Sequence, residues 1–149
     1  MIVGGLMRLI EIHADPLTDR LAQRLRTDPR TTAYRRLDER EVRGRAHRVY
    51  RNLSRWLYQA SEQLVEEEYV SLGRERRREG VPLSQVVAAL LLTRRNLWEF
   101  VESEAAGETA LELRQQLELE LLVVRFFDRA IYHTVRGYEG EEAGSAERT

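Results

Sequence analysis

The chain has 149 residues, 42% of them hydrophobic and 33% charged, with 25 acidic against 24 basic side chains for a net charge of −1. That balance describes one globular domain with a polar surface and no overall field to draw in nucleic acid or anionic lipid. Cysteine is absent and every basic residue is arginine, which excludes thiol nucleophiles, thiolate metal sites, iron–sulfur clusters, lysine Schiff bases and the P-loop lysine.

The opening residues 1–7 are apolar but lack a basic leader and run into Arg8 and Glu11, so a cytoplasmic protein is expected. A short first helix is expected over 6–13. Asp15-Pro16 then opens a second over 16–26, because proline fits a first turn where its missing amide proton is not needed. Asp28-Pro29 closes that helix, and a further helical turn is expected near 32–36. Asp38-Glu39-Arg40-Glu41 has the D-x-x-E spacing of a capping box and opens a long helix over 39–59. Within it Val42, Ala46, Val49, Leu53, Trp56 and Ala60 recur at steps of four and three, which puts them on one face. Its other sides carry Arg40, Arg43, Arg45, Arg48, Arg51 and Arg55, a locally basic surface that the acidic start of the next helix is placed to neutralise.

The helix expected over 61–79 begins with Glu62, Glu66, Glu67 and Glu68 and ends with Arg74, Arg76, Arg77 and Arg78, an order that suits the helix dipole. Gly80 supplies its stop. After Pro82 comes the most apolar helix, with Leu83, Val86, Val87, Leu90, Leu91, Leu97, Trp98, Phe100 and Val101 on more than one face, as a central element requires. Its uncharged stretch over 80–93 falls short of the roughly 18 residues of a bilayer span. Gly107 is expected to break it. Thr109-Ala110-Leu111-Glu112 is a second capping box, opening a last helix that Gly137 ends. In that helix Leu113, Leu117, Leu121, Val124, Ile131 and Val135 form an apolar stripe interrupted by Asp128, which is expected to pair with Arg125, Arg129 or an arginine from another helix. Residues 1–137 therefore read as a single all-helical domain, and 138–149, rich in Glu, Gly, Ser and Ala, as a disordered tail.

Few residues suggest chemistry. None of His13, His47 and His133 follows a glutamate by three residues, so the spacing of a helical metal site is missing and no metal is expected. Haem needs only one histidine in an aromatic, apolar pocket. His133 with Phe126, Phe127 and Trp98 would be that pocket, with His47 as a second candidate ligand. No Ser/His/Asp or GxSxG spacing occurs, and the lone carboxylate Asp128 makes no mechanism, so no catalytic residue is assigned and no enzyme is expected. The arginine-rich helix 39–59 is where nucleic acid would bind, but no helix-turn-helix spacing accompanies it.

Three stretches carry a resemblance: Val49-Tyr50-Arg51-Asn52-Leu53-Ser54-Arg55-Trp56-Leu57, the segment from Leu72-Gly73-Arg74-Glu75-Arg76 through Glu79-Gly80-Val81-Pro82-Leu83-Ser84-Gln85 to Leu90, and Phe126-Phe127-Asp128-Arg129-Ala130-Ile131-Tyr132. Over about 37–139 the chain resembles the N-terminal sensor domain of RsbR-type proteins, the RsbT co-antagonists of the bacterial stressosome. The R-x-x-E-G-x-P-L run from Arg76 to Leu83 is its most recognisable part. The resemblance implies a globin-like, all-α bundle of about five to six helices that usually lacks haem, dimerises, and signals through its last helix to a C-terminal STAS domain. These 149 residues hold no STAS segment, so the expectation is a free-standing, cofactor-free sensor or adaptor. It would act as a homodimer toward a STAS-domain or kinase-type partner and an unknown small ligand, with no membrane or nucleic-acid partner. Trp98, Val101, Leu121, Val124, Ile131 and Val135 are the expected interface or pocket walls. A haem-binding gas sensor using His133 is the alternative, and a nucleic-acid or scaffold protein using helix 39–59 the second alternative.

Overall fold

A computed structural model of the chain describes residues 2–104 and 109–148, with side chains described over 5–104 and 109–140. Among these residues there are only helices: α1 (Ile2–Ile12), α2 (Ala14–Thr27), a 3₁₀ segment (Pro29–Arg36), α3 (Glu39–Arg51), a π turn (Arg55–Gln59), α4 (Glu62–Arg78), α5 (Leu83–Glu104) and α6 (Ala110–Arg148). The all-α expectation holds, but these eight helical segments, six of them α, exceed the five to six expected. The expected break at Gly107 lies outside the described residues.

The helix starts follow local chemistry. Asp38 accepts a hydrogen bond from the Arg40 amide, Ser61 from the Leu64 amide at 3.1 Å and Thr109 from the Glu112 amide at 3.1 Å, so each side chain satisfies an amide that the first turn leaves free. At the end of α4, Gly80 has φ of 75°. The Val81 amide bonds back to Arg76 O at 3.0 Å and the Gly80 amide to Arg77 O at 3.1 Å, a Schellman closure that suits glycine because it lacks a Cβ.

The helix expected over 39–59 is interrupted. Arg48 O accepts from the Asn52 amide at 3.3 Å, from Asn52 Nδ2 at 3.1 Å and from Trp56 Nε1 at 3.3 Å. Two side chains thus compete for the carbonyl that would continue the ladder, and the chain resumes as a π turn closed by Ala60 N to Arg55 O at 2.8 Å.

The last helix does not stop at Gly137 either. It runs on to Arg148, and Tyr138, expected to begin a disordered tail, is buried with its hydroxyl donating to Val81 O at 2.7 Å. Gly137 serves close packing instead. Helix α4 packs along α6 more extensively than any other pair of elements. A Cβ on Gly137 would overlap the Val70 carbonyl, and one on Gly73 would overlap the Thr134 carbonyl and come within 2.7 Å of the Tyr138 amide nitrogen. The two helices therefore cross backbone against backbone.

This crossing decides which side of α6 faces inward. Leu119, Val123, Phe126, Phe127, Ala130 and Thr134 are buried, whereas the Leu113, Leu117 and Leu121 row chosen from the sequence is on the outside. Residues two apart lie about 200° round a helix, so Leu117 and Leu119 take opposite faces. Asp128 turns outward with that row. Its expected partner Arg129 bonds Glu62 instead, and Asp128 makes no ion pair with a described residue. Around the inner face, Trp56, Tyr69, Phe126 and Phe127 form an aromatic cluster with ring centres 5.2–6.3 Å apart. Helix α5 is central as expected, burying Val86, Ala89, Leu90, Leu97 and Val101 on several sides.

Gly73→Ala is expected to lower the unfolding free energy by about 2 kcal/mol through overpacking at the crossing. Gly44→Ala, where a Cβ meets nothing, is expected to raise it by up to about 1 kcal/mol through helix propensity alone. Urea unfolding of the two variants checks the opposite signs.

Candidate functional site

Arg76 stands at the end of α4, within the R-x-x-E-G-x-P-L run, and its side chain is only 3% exposed. A guanidinium so placed needs opposite charge, and it has Glu79 Oε1 at 2.8 Å and Glu41 Oε2 at 3.0 Å. It also lies over the Tyr34 ring, 5.5 Å from its centre, while its Nε has no partner. Burial works against the charge of Arg76, but Tyr34, Glu41 and Glu79 outweigh it and hold the group firmly protonated. Burial likewise pushes the Tyr34 hydroxyl above its ordinary value. Just beyond the run, a further side chain anchors its neighbours. Gln85 accepts from the Ala33 amide at 2.7 Å and donates to Thr32 at 3.2 Å, which fixes the 3₁₀ segment to the start of α5.

Beside Arg76 lies a partly open pocket of about 60 Å³ among α2, α3, α4, α5 and α6, with Tyr34, Arg45, Tyr69, Leu72 and Phe127 in its wall. That space suits a few waters or a fragment of a few atoms. Arg45 closes its polar side by ion pairs to Glu41 at 2.7 Å, Glu68 at 3.0 Å and Glu75. Arg48 joins at Glu68, 2.9 Å away, and Arg43 pairs with Asp19. The acids of α4 thus neutralise part of the arginine-rich helix, as its sequence order suggests, while Arg40, Arg51 and Arg55 remain exposed.

The residues expected around haem do not converge. His133 is buried on the α4 side of α6, with Nε2 against Glu62 Oε1 at 2.9 Å and Nδ1 3.3 Å from Arg136 Nη1. Both ring nitrogens are engaged. Phe126 and Phe127 are packed edge to face in the core, and Trp98 lines a separate groove between α5 and α6 together with Val124. The cavity that Phe127 does line is far too small for a macrocycle. His47 is paired with Asp15 at 2.7 Å near the surface, and His13 Nδ1 donates to Leu9 O, 2.8 Å away, against the Phe100 ring. This arrangement does not fit haem at any of the three histidines. Among the described residues no group of three or more His, Asp or Glu side chains is placed to hold a metal ion.

Of the expected interface residues, Val101 is buried in the core and Trp98 is half-buried in its groove. Leu121 is exposed, with Val124, Ile131 and Val135 half-buried beside it on the outer face of α6. That face runs through Leu113 (54% exposed), Leu117 (58%) and Leu121 (50%) past Val124, is interrupted by the exposed Asp128, and continues to Ile131, Val135 and the neighbouring Tyr132 (61%). Two internal features carried no individual weight in the sequence. Asn96, fully buried on α5, donates to Leu17 O at 2.9 Å and to the Tyr50 hydroxyl at 3.3 Å, and Tyr50 in turn donates to Thr93 O at 2.9 Å. Arg76 was visible only as part of a motif, since a charged residue next to other arginines gives no sign of burial.

An ion-paired buried arginine, a small pocket and an exposed apolar helix face are thus the features of this all-helical fold that a candidate site can be built from. The sequence profile described as the RsbT co-antagonist protein rsbRD N-terminal domain matches residues 15–149. The chain belongs to that family. No curated protein and no solved structure matches the chain. No helix among the described residues is long and apolar enough to cross a membrane.

Arg76→Met is expected to cost about 3 kcal/mol, because Glu41, Glu79 and the Tyr34 face lose a shared partner inside the fold; chemical unfolding at neutral pH measures it. The hydrogen bond from His133, followed by that from Arg129, holds the Glu62 carboxyl below the usual glutamate range. Stability from this group is therefore present above the unfolded carboxylate pKa and is lost as pH falls through the lower folded value. In a carbon-13 NMR titration the Glu62 midpoint is expected below 4.5, moving upward in His133→Ala.

Proposed function

We propose that this domain is a non-enzymatic regulatory module of the stressosome type that self-associates through the outer face of α6 and answers to a partner protein or small ligand. The observation that carries this reading is the exposed row on α6. From Leu117 the positions 117, 121, 124, 128, 131 and 135 alternate steps of four and three, the spacing of a two-helix seam. A soluble domain left alone seldom exposes such a contiguous apolar row. A second copy of α6 would cover it, and Asp128 would sit in the middle of the seam as its polar interruption.

Family membership supports the rest of the reading: signal passes along the last helix to a protein of STAS-domain or kinase type, in the cytoplasm, from helices in a globin-like arrangement that works without haem. The long α6 joins the core to the outer face. Any change at the α4–α6 crossing therefore shifts the surface a partner would meet.

Sedimentation equilibrium is expected to give a dimer for the native chain at micromolar concentration. Leu117→Asp/Leu121→Asp is expected to give a folded monomer, while Asp128→Leu tightens association. A native chain that stays monomeric at tens of micromolar overturns the self-association reading.

A further inference from the structure

The groove that Trp98 lines has a volume of about 430 Å³, within the range of small-molecule sites and much larger than the pocket beside Arg76. Its floor is apolar, made by Leu92 and Trp98 of α5 with Val123 and Val124 of α6. Three arginines border it, Arg30, Arg94 and Arg95, against the single carboxylate of Glu120.

The arginines differ in what already balances them. Arg30 is held by Asp28 through two bonds of 3.1 Å, and Arg95 also lies within the influence of Asp28. Arg94 is half-buried and makes no hydrogen bond or ion pair with a described residue. One helical turn along, Trp98 presents an indole whose Nε1 also has no hydrogen-bond partner among the described residues. A guanidinium with no ion-pair partner among the described residues, next to a free indole donor and an aliphatic floor, suits a bound anion with an apolar body. Glu120 on the opposite wall disfavours multiply charged groups such as phosphate monoesters and leaves a single negative charge as the better match.

We propose that this groove binds a small amphipathic monocarboxylate, its carboxylate on Arg94 and its hydrocarbon body on Trp98, Leu92, Val123 and Val124. The site deepens the regulatory reading by naming the ligand class, and it rests on that reading only for the consequence of binding. Val124 also belongs to the outer row of α6, so an occupied groove adjoins the proposed dimer seam.

Calorimetric titration of the full chain with octanoate, 1-octanol and octylammonium tests the proposal. Octanoate is expected to bind saturably at one site, with octanol and octylammonium at least about tenfold weaker, and Arg94→Gln is expected to reduce octanoate affinity about tenfold while leaving octanol unchanged. Equal affinity for octanoate and octanol, no saturable octanoate binding, or unchanged octanoate affinity in a folded Arg94→Gln chain overturns it. An independent readout on the native chain is the indole N–H resonance, where octanoate is expected to shift Trp98 and not Trp56; the reverse pattern also overturns the site. Sedimentation in the same solutions separates the two readings. A dimer that ignores octanoate removes the ligand site alone, and a monomer that binds it removes the self-association alone.

Discussion

Where α4 meets α6, two glycines leave no room for a side chain, and the backbones of Gly73 and Gly137 each touch a carbonyl of the opposite helix. Close approach of this kind fixes rotation as well as distance, because only one setting of each helix turns its glycine toward the other. Once α6 is so set, Phe126 and Phe127 must enter the core against Tyr69 and Trp56, and Tyr138 must reach Val81. The same rotation sends Leu113, Leu117 and Leu121 to the outside. The candidate interaction face is thus a consequence of the crossing rather than an independent decoration of the surface.

The motif from Arg76 to Leu83 acts as the second fixed point, and each of its characteristic residues has a physical role. Arg76 gathers Glu41, Glu79 and the face of Tyr34, Gly80 takes the positive φ that closes α4, and Pro82 precedes the amide pattern of α5. Gln85, just beyond, clamps the 3₁₀ segment. A charge buried this deeply contributes specificity more dependably than net stability, since its desolvation cost offsets much of the attraction it gains. It ties α3, α4 and the 3₁₀ segment into one arrangement around the small pocket. That structural role accounts for a charged residue at this position without any catalytic one.

A polar network in the middle of α5 makes a comparable contribution, with Thr93 lining the same pocket as Arg76. Asn96 reaches the carbonyl of Leu17 in α2 and the hydroxyl of Tyr50 in α3, and burial holds that hydroxyl in its neutral form. Because these bonds join three helices, a shift of α5 cannot leave α2 and α3 in place. The groove at Arg94 and Trp98 lies on the same helix, within one turn of Asn96 on either side. Occupancy of the groove and the packing of the core therefore share a rigid element.

Local spacing in the sequence was enough to determine most of the helices, the caps at Asp38 and Thr109, the stop at Gly80, the central position of α5 and the family that the chain resembles. Each of these depends on residues within a few positions of one another, where propensity and hydrogen bonding act directly. Contacts far apart in sequence, or between side chains and backbone, decided the rest. The break after Arg51 follows from two side chains competing for one carbonyl, and Gly137 continues a helix because Val70 needs the space that its side chain would fill. Most of all, α6 carries two apolar rows of matching period, and periodicity cannot say which one faces inward. The leucine-rich row makes the stronger pattern, yet the row with the aromatics and small residues fits the crossing, so tertiary packing alone chose the face that remains for a partner.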